Sequence, residues 1–375
     1  MIYLDSAATS LLKPDCVKEA VRKTMERCAS PGRGSHEAAL AAAEICYECR
    51  EKAAELFHVP EPEQVVFTSN ATHGLNIAIR SLVQRGDRAV ISCWEHNAVL
   101  RPLAALGAVI DVAAAPLWDD EGTIKAFKER IPGARVVVCT HVSNVFGYVL
   151  PIDKIAQLCR ENHVPLIVDA SQSAGVLPLD FTALGCAFAA MPGHKGLMGP
   201  QGTGLLLCAA ETTPILFGGT GSLSREKSMP DFLPDRLEAG TLNVPGIAGL
   251  LEGMKYTETL GTEQISAAER RMLRVFADEL GDEAGKMYLS KREDRQSGVL
   301  SLLPRGGDSE ETAERLGKEG IAVRGGLHCA PLAHESAGTG EQGTVRFSFS
   351  PLLELKDVRN AARRCKEILK NSYRL

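Results

Sequence analysis

VPLIVDASQSAG, residues 164–175, sets an apolar run directly against Asp169 and a cluster of small and polar residues. A short run that is apolar throughout reads as a strand buried on both faces, the kind a parallel sheet needs. The same unit recurs upstream. RVVVCT is followed by a helical pattern with Ile152, Ile155, Ala156 and Cys159 on one face. Before it stand QVVFT, RAVIS and AVIDVAA, separated by helical segments, the first carrying Leu75, Ala78, Ile79 and Leu82 at helical spacing. GTGLLLC supplies a further strand-like run downstream. Buried strands alternating with amphipathic helices, over about residues 60–210, imply an α/β fold with a mostly parallel sheet covered on both sides.

In such sheets a ligand lies outside the carboxyl ends of the strands. Four segments following strand-like runs, SNATHG, CWEHNA, HVSNVFG and DASQSAG, are rich in polar groups that a core would not leave unpaired. From about Tyr256 the pattern changes to the charged helical run GTEQISAAERRMLRVFADELG, a short GVLSLLP strand and a closing GTVRFSFS strand with a last helix. We read residues 14–254 as a large domain and residues 1–13 with 255–375 as a small α/β domain.

The chain has 375 residues, enough for both domains, and a formal net charge of -5 with 42 basic and 47 acidic side chains interspersed. That balance gives no footprint for nucleic acid or an anionic membrane and favours a small polar substrate. No segment approaches the ~18 uninterrupted apolar residues of a membrane span, and the start MIYLDSAATS has no leader pattern. Eleven cysteines are scattered through apolar surroundings rather than set in a compact framework, which points to a reducing cytoplasm. Cys46 and Cys49 form a CxxC inside a helical pattern with no second pair at zinc spacing, so no metal site is expected.

MPGHKGLMGPQGTG, residues 191–204, holds Lys195 in a loop of glycines and prolines. Alone, the lysine reads as a solvated surface charge and Asp169 as a helix cap. Together they suit a different device. A lysine that forms a Schiff base with an aldehyde cofactor needs an acid to keep the cofactor's ring nitrogen protonated. A phosphate on that cofactor would find backbone N–H groups, a helix dipole and the Thr72 hydroxyl in SNATHG. His96 in EHN is either a stacking ring for the cofactor or a helix cap.

In order along the chain, YLDSAAT, SNATHGLN, EHNAVL, HVSNVFG, VDASQSAG, GHKGLMGPQGTG, RLEAGTLN, RGGLHCAP and TVRFSFSP resemble the pyridoxal-phosphate-dependent class V aminotransferase family, in its cysteine desulfurase and selenocysteine lyase branch, with a SufS-like cysteine loop. The resemblance implies an aspartate-aminotransferase-like fold type I and a homodimer with active sites at the subunit interface. It makes Lys195 the Schiff-base lysine, Asp169 the partner of the pyridine nitrogen, Gln172 the partner of the phenolic oxygen and His96 the stacking ring. Asn144 would lie beside cofactor and substrate. Ala71, Thr72, His194 and, from the other subunit, Thr241 would hold the phosphate.

Arg346 would clamp the substrate carboxylate, a task suited to a guanidinium fork. Arg324 and His328 of the cysteine motif would help to bind the substrate, and Cys329 beside them would take the sulfur of L-cysteine as a persulfide, leaving L-alanine. Cationic neighbours of that kind favour a reactive thiolate. The persulfide would pass to a scaffold protein or a small thiol. Iron–sulfur cluster assembly, tRNA thiolation and selenium metabolism all stay open as its destination.

Four features depart from the family pattern. Pro192 stands where a serine often reaches the phosphate, Leu242 where proline is usual, and Gly326-Leu327 where Gly-His is usual. The stretch 286–304 is also short. These keep a selenocysteine lyase or another cysteine C–S lyase open, with an aminotransferase or a catalytically idle binding protein further off. Gly325 and Gly326 suggest a mobile cysteine loop.

Overall fold

A computed structural model describes residues 1–31, 34–306 and 308–371. Strands are numbered in chain order: β1 (Ile2–Tyr3), β2 (Val65–Thr68), β3 (Arg88–Ser92), β4 (Val109–Ala113), β5 (Val136–Thr140), β6 (Leu166–Asp169), β7 (Phe188–Pro192), β8 (Gly204–Cys208), β9 (Gly285–Tyr288), β10 (Val299–Pro304), β11 (Ile321–Ala322) and β12 (Val345–Ser348). The main sheet runs β2-β8-β7-β6-β5-β3-β4. Strands β4, β3, β5, β6 and β7 pair in parallel, while β8 is antiparallel to both β7 and β2.

Strands β5 to β8 are buried at every residue, which explains their unbroken apolar sequences. Alternate residues serve opposite faces. Val137, Leu166, Val168, Ala189, Met191 and Leu205 join one core with helices Glu37–Phe57, Ile152–Glu161 and Val244–Leu260. Val138, Ile167, Phe188, Ala190 and Leu206 join the other with helices Ala71–Leu82 and Asn97–Leu106. Each fully buried side chain of this size contributes about 1.5–3 kcal/mol. Strand β7, with sequence FAAMP, escapes the sequence reading because its alanines carry little β propensity, yet it is an interior strand of the sheet, between β8 and β6.

A second sheet, β12-β10-β9, is antiparallel. Its core joins Leu300 and Phe347 to Met272, Leu273 and Phe276 of helix Thr262–Leu280 and to Val358 and Cys365 of helix Leu355–Asn371. Leu4 completes this core, and β1 pairs in parallel with β11, so the chain start is built into the C-terminal lobe. The change of core falls at Gly261: the helix before it packs through Val244, Ile247, Leu250 and Met254 on the main sheet, and the helix after it on the second.

Apart from Cys16, Cys28 and Cys329, the cysteines are buried. Cys46 and Cys49 pack in the main core, where burial pushes both thiols up, that of Cys46 to about 12. Among the described residues no helix is long and apolar enough to cross a membrane.

Candidate active site

The segments that follow β2, β3, β5 and β6 meet at a cavity of about 190 Å3. Its walls include Ala71, Thr72, His96, Asn144, Asp169, Gln172, His194, Lys195, Arg324, His328 and Arg346, so residues spread over most of the sequence are brought together. Thr241 and Cys329 do not line it.

Each side chain is placed by its element. Asp169 is the last residue of β6, is buried, and has one carboxylate oxygen bonded to the Ser171 N–H at 2.9 Å. Lys195 follows β7 in a loop pinned by the N-terminal segment: the Ser10 hydroxyl donates to the carbonyls of His194 (3.0 Å) and Lys195 (3.1 Å). The Lys195 amine has no hydrogen-bond or ion-pair partner among the described residues. Burial lowers it to about 8, with Asp169 opposing and Arg346 adding to the shift. A substantial neutral fraction at physiological pH follows, which is the form a nucleophilic or proton-accepting amine needs.

His96 caps helix Asn97–Leu106, its Nδ1 accepting the Ala98 N–H at 3.0 Å. That bond puts the ring proton on Nε2, and burial lowers the imidazole to about 4 despite Asp169, so the ring is neutral. The same residue therefore caps the helix and lines the cavity with a neutral ring. Helix Ala71–Leu82 starts at the cavity wall, with the Asn70 side chain capping the His73 N–H. The N–H groups of Ala71 and Thr72 have no intrahelical partner and are free for an anion. His194 bonds Thr9 Oγ1 at 3.0 Å. The Gln172 amide donates to the Ala7 carbonyl at 3.0 Å. Pro192 also lines the cavity and offers no hydrogen-bond donor.

Arg346 on β12 is 1% exposed. It donates to Asp5 Oδ1 at 2.7 Å and to the Asn144 carbonyl at 3.1 Å, while its Nε has no partner. Sequence reading gave Asp5 no role, because its partner lies on the far side of the chain. It also passed over Glu95, which accepts the Thr140 N–H at 2.8 Å and ties β3 to β5 beneath the site. Burial raises that carboxyl to about 8, so it is neutral under Asp169.

The glycines before Cys329 sit in close quarters: a Cβ at Gly325 would lie 2.3 Å from the Ser309 carbonyl, and one at Gly326 2.8 Å from Glu310 Oε1. His328 (φ 50) and Cys329 (φ 58) are successive left-handed residues, a conformation costing about 1–2 kcal/mol each. Their carbonyls are fixed by Asn144 Nδ2 (2.9 Å) and the Asn97 N–H (2.7 Å). His328 Nε2 bonds the Thr344 carbonyl at 2.9 Å, and burial keeps its ring neutral. The result places Cys329 Sγ 3.7 Å from Arg324 Nη2, beside the cavity wall.

The family model described as "Aminotransferase class-V" matches residues 2–360. The chain belongs to the class V aminotransferase family. Its members depend on pyridoxal phosphate, and the chain has their fold type I architecture. It is 30% identical over 385 residues to a protein of Pyrococcus abyssi named "Probable cysteine desulfurase", covering 99% of this chain and 95% of that one. A protein of the same name from Mycolicibacterium paratuberculosis is 33% identical over 368 residues, 93% of this chain, which spans 53% of that relative's length. Among solved structures, the apo cysteine desulfurase of Thermococcus onnurineus superposes with a TM-score of 0.89 at 30% identity, covering 99% of this chain and 95% of that one.

The donor set fits the family's cofactor. A buried carboxylate, an unpaired amine, a neutral ring and a free helix N-terminus share one cavity, and together they match the ring nitrogen, aldehyde, ring face and phosphate of pyridoxal phosphate.

Proposed function

We propose that this chain is a pyridoxal-phosphate-dependent cysteine desulfurase that converts L-cysteine to L-alanine and leaves the sulfur as a persulfide on Cys329. The observation that carries the reading is Lys195, a buried amine without a partner, in one cavity with Asp169 and Arg346. Its relatives' names agree with it.

The bound cofactor supplies an electron sink for bond-breaking at the substrate's carbons. Asp169 would hold a proton at the ring nitrogen, Gln172 would bond the phenolic oxygen and His96 would cover the ring. The N–H groups of Ala71 and Thr72 and the ring of His194, together with Thr241 from the other subunit of a homodimer, would hold the phosphate. Asn144 and Arg346 place the substrate, the unpaired Nε of Arg346 facing its carboxylate. Lys195 would take the α-proton.

Cys329 Sγ then attacks the substrate sulfur as a thiolate: a sulfur–sulfur bond forms, the carbon–sulfur bond breaks, and its electron pair returns to the substrate carbon. Arg324 and His328 hold that thiol's loop. An acceptor thiol, on a protein or a small molecule, removes the sulfane sulfur in a reducing cytoplasm. Residues 14–254 form the cofactor domain and 1–13 with 255–375 the small domain in this reading, and the change of core near Gly261 supports it.

The test is alanine and sulfide production from L-cysteine with a reductant, wild type against Cys329→Ala, with the cofactor's visible absorbance checked in both. Lost activity with retained cofactor is the expected result. Full activity in Cys329→Ala would move the chain to a direct C–S or selenocysteine lyase, and absence of the cofactor band in both proteins would end the enzyme reading.

A further inference from the structure

Helix Thr262–Leu280 buries Ile265, Glu269, Met272, Leu273 and Phe276, which puts a carboxyl on a face otherwise built for apolar side chains. Glu269 is 8% exposed and makes no hydrogen bond or ion pair with any described residue. A buried acid in that position must be neutral, hydrated or both. Burial raises it to about 8, against the opposing pull of Arg270 on the same helix.

Its surroundings are polar. Glu269 lines a second cavity of about 40 Å3 with Ser6, Ser10, Ser297, Ser348 and Ser350. The hydroxyls of Ser6 and Ser297 have no partner. About 15 Å3 suffices for one water, so the space holds about two, with enough hydroxyls to bond them. Gly298 makes room for the acid: a Cβ there would lie 2.7 Å from Glu269 Oε2. Lys195 and Gln172 line both this cavity and the main one. Lys195 therefore borders the reaction space and the serine-lined space, and in the proposed reaction it is the residue that gains and loses a proton in each turnover.

We propose that Glu269 and the serine-lined cavity form a proton store behind Lys195, exchanging a proton with its amine through water. The step balances: the Lys195 ammonium gives an N–H proton to cavity water, which passes one to the Glu269 carboxylate, and both groups end neutral. Burial pushes Lys195 down and Glu269 up, towards each other, which lowers the cost of the transfer. No other titratable side chain lines the small cavity. Lys13 reaches it indirectly, through a bond from its amine to Ser10 Oγ. On the other side Asp169, Asp5, Arg346 and Arg324 bear on Lys195. Glu269 is thus a positioning residue that acts through Lys195.

The proposal rests on Lys195 being the reaction's base, and the test separates the two claims by working first without cofactor. Cofactor-free protein is pulse-acetylated with acetic anhydride across neutral to alkaline pH, and Lys195 modification is read by mass spectrometry against a surface lysine. A carboxylate nearby favours the ammonium, so Glu269→Gln should move the Lys195 midpoint to lower pH by about half a unit or more, while Glu269→Asp retains the wild-type midpoint. Glu269→Met, suited to an apolar face, serves where the glutamine variant does not fold. The wild-type infrared spectrum should also contain a protonated carboxyl at neutral pH that Glu269→Gln lacks. Coincident midpoints, or an unchanged carboxyl band, overturn the store and leave the desulfurase reading intact. A shifted midpoint in a protein that makes no alanine would sustain the coupling and remove the desulfurase.

Discussion

Replacing Arg346 with lysine keeps a positive charge at the site and removes the planar fork. In the structure two of the guanidinium's five N–H groups are spent, on Asp5 and on the Asn144 carbonyl, and the Nε–H is buried without a partner. A substrate carboxylate would take that N–H and one further donor. Lysine cannot satisfy Asp5, Asn144 and both carboxylate oxygens from one nitrogen, so one to two charge-assisted bonds are lost. At about 1.5–3 kcal/mol for such a bond, the loss is ~1.5–6 kcal/mol, or about 10- to 20,000-fold in kcat/KM for L-cysteine. The assay is alanine formation at varied L-cysteine, paired with equilibrium binding of L-cysteine and of cysteamine, which has the same amine and thiol without a carboxylate. The variant should bind L-cysteine much more weakly and cysteamine almost as well as wild type does. Equal penalties for both ligands would refute the clamp, because the loss would then reflect a disturbed site rather than a missing carboxylate partner.

A second prediction concerns stability. Arg50 and Glu238 form a buried pair (2.5 Å), with Glu238 also accepting the Phe67 N–H at 2.6 Å and Arg50 lying 4.1 Å over the Phe67 ring. Arg50→Met strands the carboxylate and should cost about 3–5 kcal/mol in chemical denaturation, most of it recovered in Arg50→Met/Glu238→Gln; a double variant no more stable than the single one would contradict this. The pH dependence of the cofactor-free protein follows from groups of opposite sign. Burial holds His96, His141 and His194 near 4, so the unfolded chain binds more protons below 6.5 and stability rises with pH up to there. Burial holds Glu95 and Glu269 near 8, so the folded chain binds more protons above 4.5 and stability falls as pH rises towards 8. With ~1.4 kcal/mol per pH unit per group, the optimum should lie near pH 6.5, and Glu269→Gln should remove about half of the decline above it; a flat melting profile between neutrality and pH 8 would count against both carboxyls.

Much of this was legible in the sequence where local pattern and chemistry coincide. Strands β2, β3, β5 and β6 are apolar runs that stop at polar residues, so the strand and the functional segment beyond it are marked by the same boundary. Strand β7 has no such contrast. Asp5 and Arg346 are likewise an ordinary pair of charges until β1 pairs with β11 and Asp5 bridges to Ser348, bringing the two chain ends together. Thr241 borders other cavities, with Leu242 beside it, in a region that includes the exposed Leu216, so a single chain cannot display the role assigned to it across an interface.

Glu269 shows a different limit. Its spacing from Ile265, Met272 and Phe276 places it on the buried helix face, a signal present in the sequence but masked by the glutamates and arginines around it. Periodicity shows that the side chain is inward and not what it meets there. The answer depends on Gly298 and a ring of serines contributed by segments far apart in the chain. In the proton-store reading Lys195 answers to two acids of different character: Asp169, delivered by the main sheet, and Glu269, delivered by the helix of the other core and pushed up by burial. A change that shifts one lobe against the other would alter the second acid's distance from the amine while leaving the first in place. If the store operates, the pH response of Lys195 reads out how the two lobes are packed.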